Sequence, residues 1–141
     1  MAIRLGESDH IIRLCLQRHV KKGSVASTAF DLRLLEAGAR EESYLSVRHQ
    51  EHYQRDPMAE VVEDFKNGFK SLSGCKLAVL DVIEAVEASK MVSSVLSDFG
   101  FEKPNPSNSY ARSVPDMDRT MWNDAISTAL WRVAKFHDIP S

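Results

Sequence analysis

Leu77-Ala78-Val79-Leu80-Asp81-Val82-Ile83-Glu84-Ala85-Val86-Glu87-Ala88-Ser89 is the run on which the fold class turns. Its first four residues suit a buried strand, whereas Asp81 onward is rich in helix formers, so the stretch reads either as one helix or as a strand leading into a short helix. The second reading is favoured. Five further β-like runs accompany it, at 11–16, 25–32, 44–47, 91–96 and 109–114, each bounded by Gly, polar or Pro-containing segments.

Two other segments carry helical periodicity. Over 56–70, Asp56 caps, Pro57 fits the first helical position, and Met58, Val61, Val62, Phe65 and Phe69 share one face that must be buried. Asn67 and Gly68 weaken the last turn, and the stop is expected near residue 70. After Pro115, with Asp116 or Asp118 as cap, Met121, Trp122, Ala125, Ile126, Ala129, Leu130, Val133 and Phe136 form a broad apolar stripe that predicts a helix to about Phe136. Such a stripe could cover a sheet or pair with a copy of itself, which leaves a homo-oligomer open. Residues 100–109 read as a loop with two prolines, and 36–43 as a charged loop. Helices interspersed with short strands predict an α+β fold: one small sheet with two main amphipathic helices packed on a face, as a single domain over 1–141.

The chain has 141 residues, 43% of them hydrophobic and 27% charged, with 6 Gly and 5 Pro. That size buries roughly two-thirds of the unfolded surface, so a core forms without disulfides or metal staples. A formal charge of −2 supplies no global field for a polyanion. The charge is nevertheless uneven, at +2 over residues 1–55 and −4 over 56–141. Cys15 and Cys75 sit in apolar runs and read as buried, reduced thiols. Residues 1–10 lack the charged start and apolar stretch of a signal peptide, and no run approaches the roughly 18 apolar residues of a membrane span. A cytoplasmic protein is expected.

Few residues suggest chemistry. His49 and His52 would share a helical face, but zinc needs three or four ligands and no second pair offers matching spacing, so no metal is expected. Arg18-His19-Val20-Lys21-Lys22-Gly23 is the one dense basic patch; a nucleic-acid contact through Arg18, Lys21 and Lys22 ranks low, because no aromatics interleave with it for base stacking. Ser27 and Thr28 follow Gly23 on what reads as a strand, with Ser27 and Phe30 on opposite faces. Glu41-Glu42 fall in a charged loop, and Asp116 and Asp118 at a helix start where capping explains them. No phosphate loop, dinucleotide fingerprint, zincin or thioredoxin-type motif occurs, so neither a cofactor nor a catalytic set is expected.

Arg13, then Gly23, Val25, Ser27, Ala29 and Phe30, with Leu45-Ser46-Val47 and Asn105-Pro106-Ser107-Asn108 further on, resemble a family of small bacterial proteins. Its pattern is an arginine, a G-x-V-S-S-x-A-F stretch, an L-S-V, and an N-P-S-H-like loop before a C-terminal helix. This chain departs from it at Leu16 and Asn108, where the family places histidines, the side chains suited to proton transfer or ligation. The resemblance transfers no activity. It implies a partner protein, since such genes sit in multi-gene bacterial systems, some concerned with defence against phages.

The expected function is therefore a small binding or adaptor protein, a component of a bacterial defence or toxin–antitoxin system. Its expected partner-binding residues are Arg13, Arg18, Ser27, Thr28, Asn105, Asn108 and Tyr110. The alternative is an NAD- or nucleotide-using transferase, because an arginine on an early strand followed by Ser27-Thr28 on a second strand is loosely similar to ADP-ribosyltransferases.

Overall fold

The computed structural model describes residues 1–35, 40–93 and 97–140. In chain order its strands are β1 (Ile3–Arg4), β2 (His10–Cys15), β3 (Val20–Lys21), β4 (Ser24–Val25), β5 (Leu34–Leu35), β6 (Arg40–Glu41), β7 (Ser46–His49), β8 (Lys76–Asp81), β9 (Gly100–Lys103), β10 (Tyr110–Val114) and β11 (Lys135–Asp138). Seven of them build one sheet in the order β1-β9-β10-β7-β2-β8-β11, antiparallel at every pairing. The remainder form two short hairpins, β3 with β4 and β5 with β6.

β2 lies near the middle of this sheet and is covered on both faces. Ile11 and Cys15 enter one core layer, and Ile12 and Leu14 enter the other. A strand enclosed on both sides must read as a continuous apolar run, which Ile11 to Cys15 does except at Arg13. β8 pairs with β2 from His10↔Asp81 to Cys15↔Lys76. The stretch at 77–89 is accordingly a strand followed by a helix, α2 (Val82–Val92).

The fold is α+β, with a larger sheet and more helix than expected. α1 (Pro57–Lys66) packs Val61, Val62 and Phe65 on the Ile12–Leu14 face. α2 and a C-terminal helix over 119–133 pack Val82, Ala85, Trp122, Ile126 and Leu130 on the opposite face. The sheet is thus sandwiched by three helices, one layer on each side. Asp56 caps α1 by accepting the Ala59 N–H at 3.3 Å, and Glu60 accepts the Asp56 N–H at 3.2 Å. α1 stops before Phe69, which the helical spacing had put on the buried face; Phe69 is 40% exposed instead.

Five other expectations change. Residues 25–32 form no strand: only Ser24–Val25 pair, and Ser27–Phe30 wind into a 3-10 turn. The cause lies in the C-terminal helix, whose side chains satisfy that backbone. Trp122 Nε1 and Ser127 Oγ both donate to Phe30 O, Trp131 Nε1 donates to Val25 O, and Asn123 bonds both the N–H and the carbonyl of Leu32. The same helix widens into a π turn at Trp122–Ile126 and ends at Val133. Lys135–Asp138 then add a strand along β8, placing Phe136 against the Phe30 ring. Gly100–Lys103, expected in a loop, pair with β10 and β1. Met91 and Val92 finish α2 rather than begin a strand, and 94–96 lie outside the described residues, as do 36–39 of the expected charged loop. The strand expected at 44–47 is shifted to Ser46–His49.

Candidate functional site

β2 and β7 pair only at Ile11↔His49 and Ile12↔Arg48. Beyond that point they part, although β2 runs on beside β8 to Cys15 and β7 begins at Ser46 beside β10. A cavity of about 300 Å³ occupies the divergence. Its polar lining is Arg13, Arg33, Arg48, Glu42, Ser46 and Tyr110, and its apolar lining includes Leu14, Leu16, Phe65 and Phe69. Arg13 bridges the gap: Nε donates to Ala29 O at 2.8 Å and Nη1 to Ser46 O at 2.7 Å. Burial, and then the neighbouring Arg33 charge, draw its pKa down to about 10. Arg48 lies 5.6 Å from the Phe65 ring centroid, in cation–π range.

A second hollow of about 370 Å³ adjoins this cavity and shares Arg48 and Tyr110 with it. His52, Asp64, Ser107, Asn108 and Ser109 complete its lining. Asp64, on α1, accepts from Tyr53 Oη and from Ser109 Oγ, which ties the helix to the start of β10. Burial and the bond to Asp64 push the Tyr53 phenol well above its usual range.

The residues expected from sequence divide among these places. Arg13 and Tyr110 meet at the cavity, and Asn108 and Tyr110 at the cleft. Asn105 is exposed and shapes the loop, its Oδ1 accepting the Ser107 N–H and its carbonyl the Asn108 N–H. Arg18 and Thr28 meet elsewhere, at His19, whose ring bonds Thr28 Oγ1 at 2.8 Å and Arg18 Nε at 3.3 Å, and Ser27 precedes Thr28 in the same 3-10 turn. Burial and the charges of Arg18, Arg33 and Arg13 lower the His19 pKa. Sequence reasoning missed Arg33, Arg48 and Phe69. The first two interrupt the apolar runs Leu32-Arg33-Leu34 and Val47-Arg48, and that interruption is the signal that could have exposed them.

His49 and His52 do not act as a pair. His52 stacks edge-on against Tyr53, while His49, at the end of β7, brings Nε2 to 2.9 Å from Asp9 Oδ1 and 3.6 Å from Glu51 Oε1. Asp9, His49 and Glu51 offer ligand atoms within 4.8 Å of one another, the set a divalent ion would find here. Hydrogen bonding already accounts for the arrangement. Both Glu51 oxygens accept from His10, through its backbone N–H and its ring Nδ1, and His10 Nε2 reaches Asp81 at 2.9 Å. This relay fastens the ends of β2, β7 and β8 together. Burial alone would raise the Asp9 pKa, but the His49 bond, the Gly6 N–H and the nearby His49 and His10 charges together hold it below its ordinary value.

Both thiols are buried and unpaired with each other, and burial pushes Cys15 up to about 11. No family model matches the sequence, and no curated protein or solved structure is significantly similar to it.

Proposed function

We propose that the chain is a small protein-binding or adaptor module whose docking surface is the cleft at Asn108–Tyr110. One observation carries this reading: α1, β7, the 3-10 turn at Gln50–His52 and the loop before β10 bring Asp64, Arg48, His52 and Asn108 to one open polar hollow, with Tyr110 continuing it into the neighbouring cavity. Asp64, Tyr53 and Ser109 brace the floor, so the exposed groups are presented by a fixed frame rather than by a free loop. Pre-organised polar surfaces lose little entropy on association. The likeness of Arg13, Gly23–Phe30 and Asn105–Asn108 to small bacterial proteins from multi-gene systems supports a cytoplasmic component of a defence or toxin–antitoxin system. No helix among the described residues is long and apolar enough to cross a membrane.

The test is capture from the source cell by three proteins: the native chain, the Asn105→Ala/Asn108→Ala/Tyr110→Ala variant, and Lys90→Ala on the exposed side of α2. A partner held by the first and third and lost by the second, with Tm lowered by only a few degrees, is the expected result. Retention by the triple variant overturns the reading. The transferase alternative rested on Ser27-Thr28 lying on a strand, and those residues form a 3-10 turn facing His19. Calorimetric titration with NAD decides it, and absence of heat removes it.

A further inference from the structure

We propose that the cavity between β2 and β7 binds a small amphipathic organic anion, a carboxylate or phosphate monoester carried on an aromatic or aliphatic body, with Arg13 as its buried anchor. Arg13 is 7% exposed. A guanidinium carries five N–H donors, and two of them are engaged here, on Ala29 O and Ser46 O. The others have no protein partner among the described residues. The arginine ion pairs in those residues are Arg112–Glu102 and Arg119–Glu41, so Arg13, Arg33 and Arg48 all face the cavity with no carboxylate of the described residues within 4.0 Å. Glu42 is the one acid among the described lining residues, and its Oε1 accepts the Arg33 backbone N–H at 2.6 Å. The described lining therefore carries a net charge of +2.

A buried cation without a counter-ion is unfavourable, and pairing it relieves the cost. An anion entering this cavity supplies that pair, and the planar guanidinium fork suits the oxygens of a carboxylate or phosphate. The apolar lining defines the rest of the ligand. Leu14, Leu16 and Phe65 offer nothing to a bare inorganic ion, and Phe69, left half open past the end of α1, can close on a ring or an aliphatic chain. The volume, about 300 Å³, lies at the small end of pockets for small molecules. An anchor this deep within the sheet layer also favours a free small molecule over a side chain presented on a partner's surface.

The probes are phenylacetate, phenyl phosphate, the neutral phenylacetamide and inorganic phosphate, titrated calorimetrically at constant ionic strength. At least one aromatic anion should bind tenfold or more tighter than both the amide and inorganic phosphate, and the tighter of the two names the head group. Arg33→Gln and Arg13→Lys should each weaken that anion about tenfold. Phe69→Ala should weaken the aromatic anion while leaving inorganic phosphate unchanged. If Arg13→Lys does not fold, Arg33→Gln and Arg48→Gln carry the test. Equal binding of acid and amide, affinities unmoved by these variants, or no heat at millimolar probe overturns the inference. Arg33 and Phe69 lie outside the docking cleft, so their variants should still capture the partner. Loss of anion binding with capture intact thus separates the ligand site from the docking reading, and failure of either leaves the other to its own test.

Discussion

Trp122 donates its indole N–H to the carbonyl of Phe30 at 2.7 Å, joining residues 92 apart in the chain. Both side chains are fully buried, and Ser127 Oγ donates to the same carbonyl at 3.1 Å. The contact explains why the C-terminal helix also governs a segment that looks like a strand.

Because two donors share the Phe30 carbonyl, their losses should not add. Ser127→Ala alone leaves the indole in place and should cost about 0.5–1 kcal/mol. Trp122→Phe removes the stronger bond together with part of a large side chain and should cost about 2–4 kcal/mol. The double variant strips a buried carbonyl of both donors and should exceed the sum of the two by about 1 kcal/mol. Urea unfolding curves of the four proteins measure the coupling, and plain additivity would count against the shared-acceptor account.

Asp9 makes stability depend on acid. Its pKa is lower in the folded chain than its ordinary value of 3.8, so the folded state favours the ionised form. That contribution is complete above the unfolded pKa and disappears as pH falls through the depressed folded value. Asp9→Asn should flatten the acid limb of a Tm-against-pH curve below about pH 4. Identical limbs for Asp9→Asn and the native chain would show that His49 does not hold the carboxylate as the 2.9 Å contact indicates.

The thiols should be inert while the chain is folded. Cys15 is fully buried with its pKa pushed up to about 11, and Cys75 is also buried. The thiolate is the reactive form, so little of Cys15 reacts at pH 8. Ellman's reagent should find no fast thiol in native buffer and two in denaturant. A prompt stoichiometric reaction in native buffer would mean that Cys15 or Cys75 is reached without unfolding.

How much of this was legible in the sequence depends on whether the signal was local. The cap at Asp56–Pro57, the Val61, Val62 and Phe65 face of α1 and the change from strand to helix at Asp81–Val82 are written in neighbouring residues and agree with the structure, whereas Phe69 falls past the helix end. Residues 25–32 were misread because their backbone partners are Trp122, Asn123, Ser127 and Trp131, side chains that look like ordinary members of an amphipathic stripe. β11 was hidden for a related reason. Its apolar Phe136 extends the helical period, whereas the open edge of β8 beside it exists only in three dimensions. Of the site, Arg13 is singled out by the family resemblance and as an arginine on an early strand, and Tyr110 by its place beside the proline-bearing loop. Arg33, Arg48 and Phe69 converge on them only because β2 and β7 part after a two-residue pairing, and no local pattern encodes that separation.

Two glycines with the same backbone twist separate strain from crowding. Gly23 has φ +79 and Gly74 φ +76, a region that costs an L-residue about 1–2 kcal/mol. A Cβ at Gly23 meets nothing within 4 Å, whereas one at Gly74 comes within 2.7 Å of Gln17 Cγ. Gly23→Ala should therefore lose about 1 kcal/mol, the backbone cost alone. Gly74→Ala should lose that and more, because the Gln17 side chain must also move off its place over the turn. Gln17→Ala clears the space, so in that background Gly74→Ala should fall back to the cost seen at Gly23. Equal losses at the two glycines in the native background would mean that Gln17 yields freely and does not pack on the Gly74 turn.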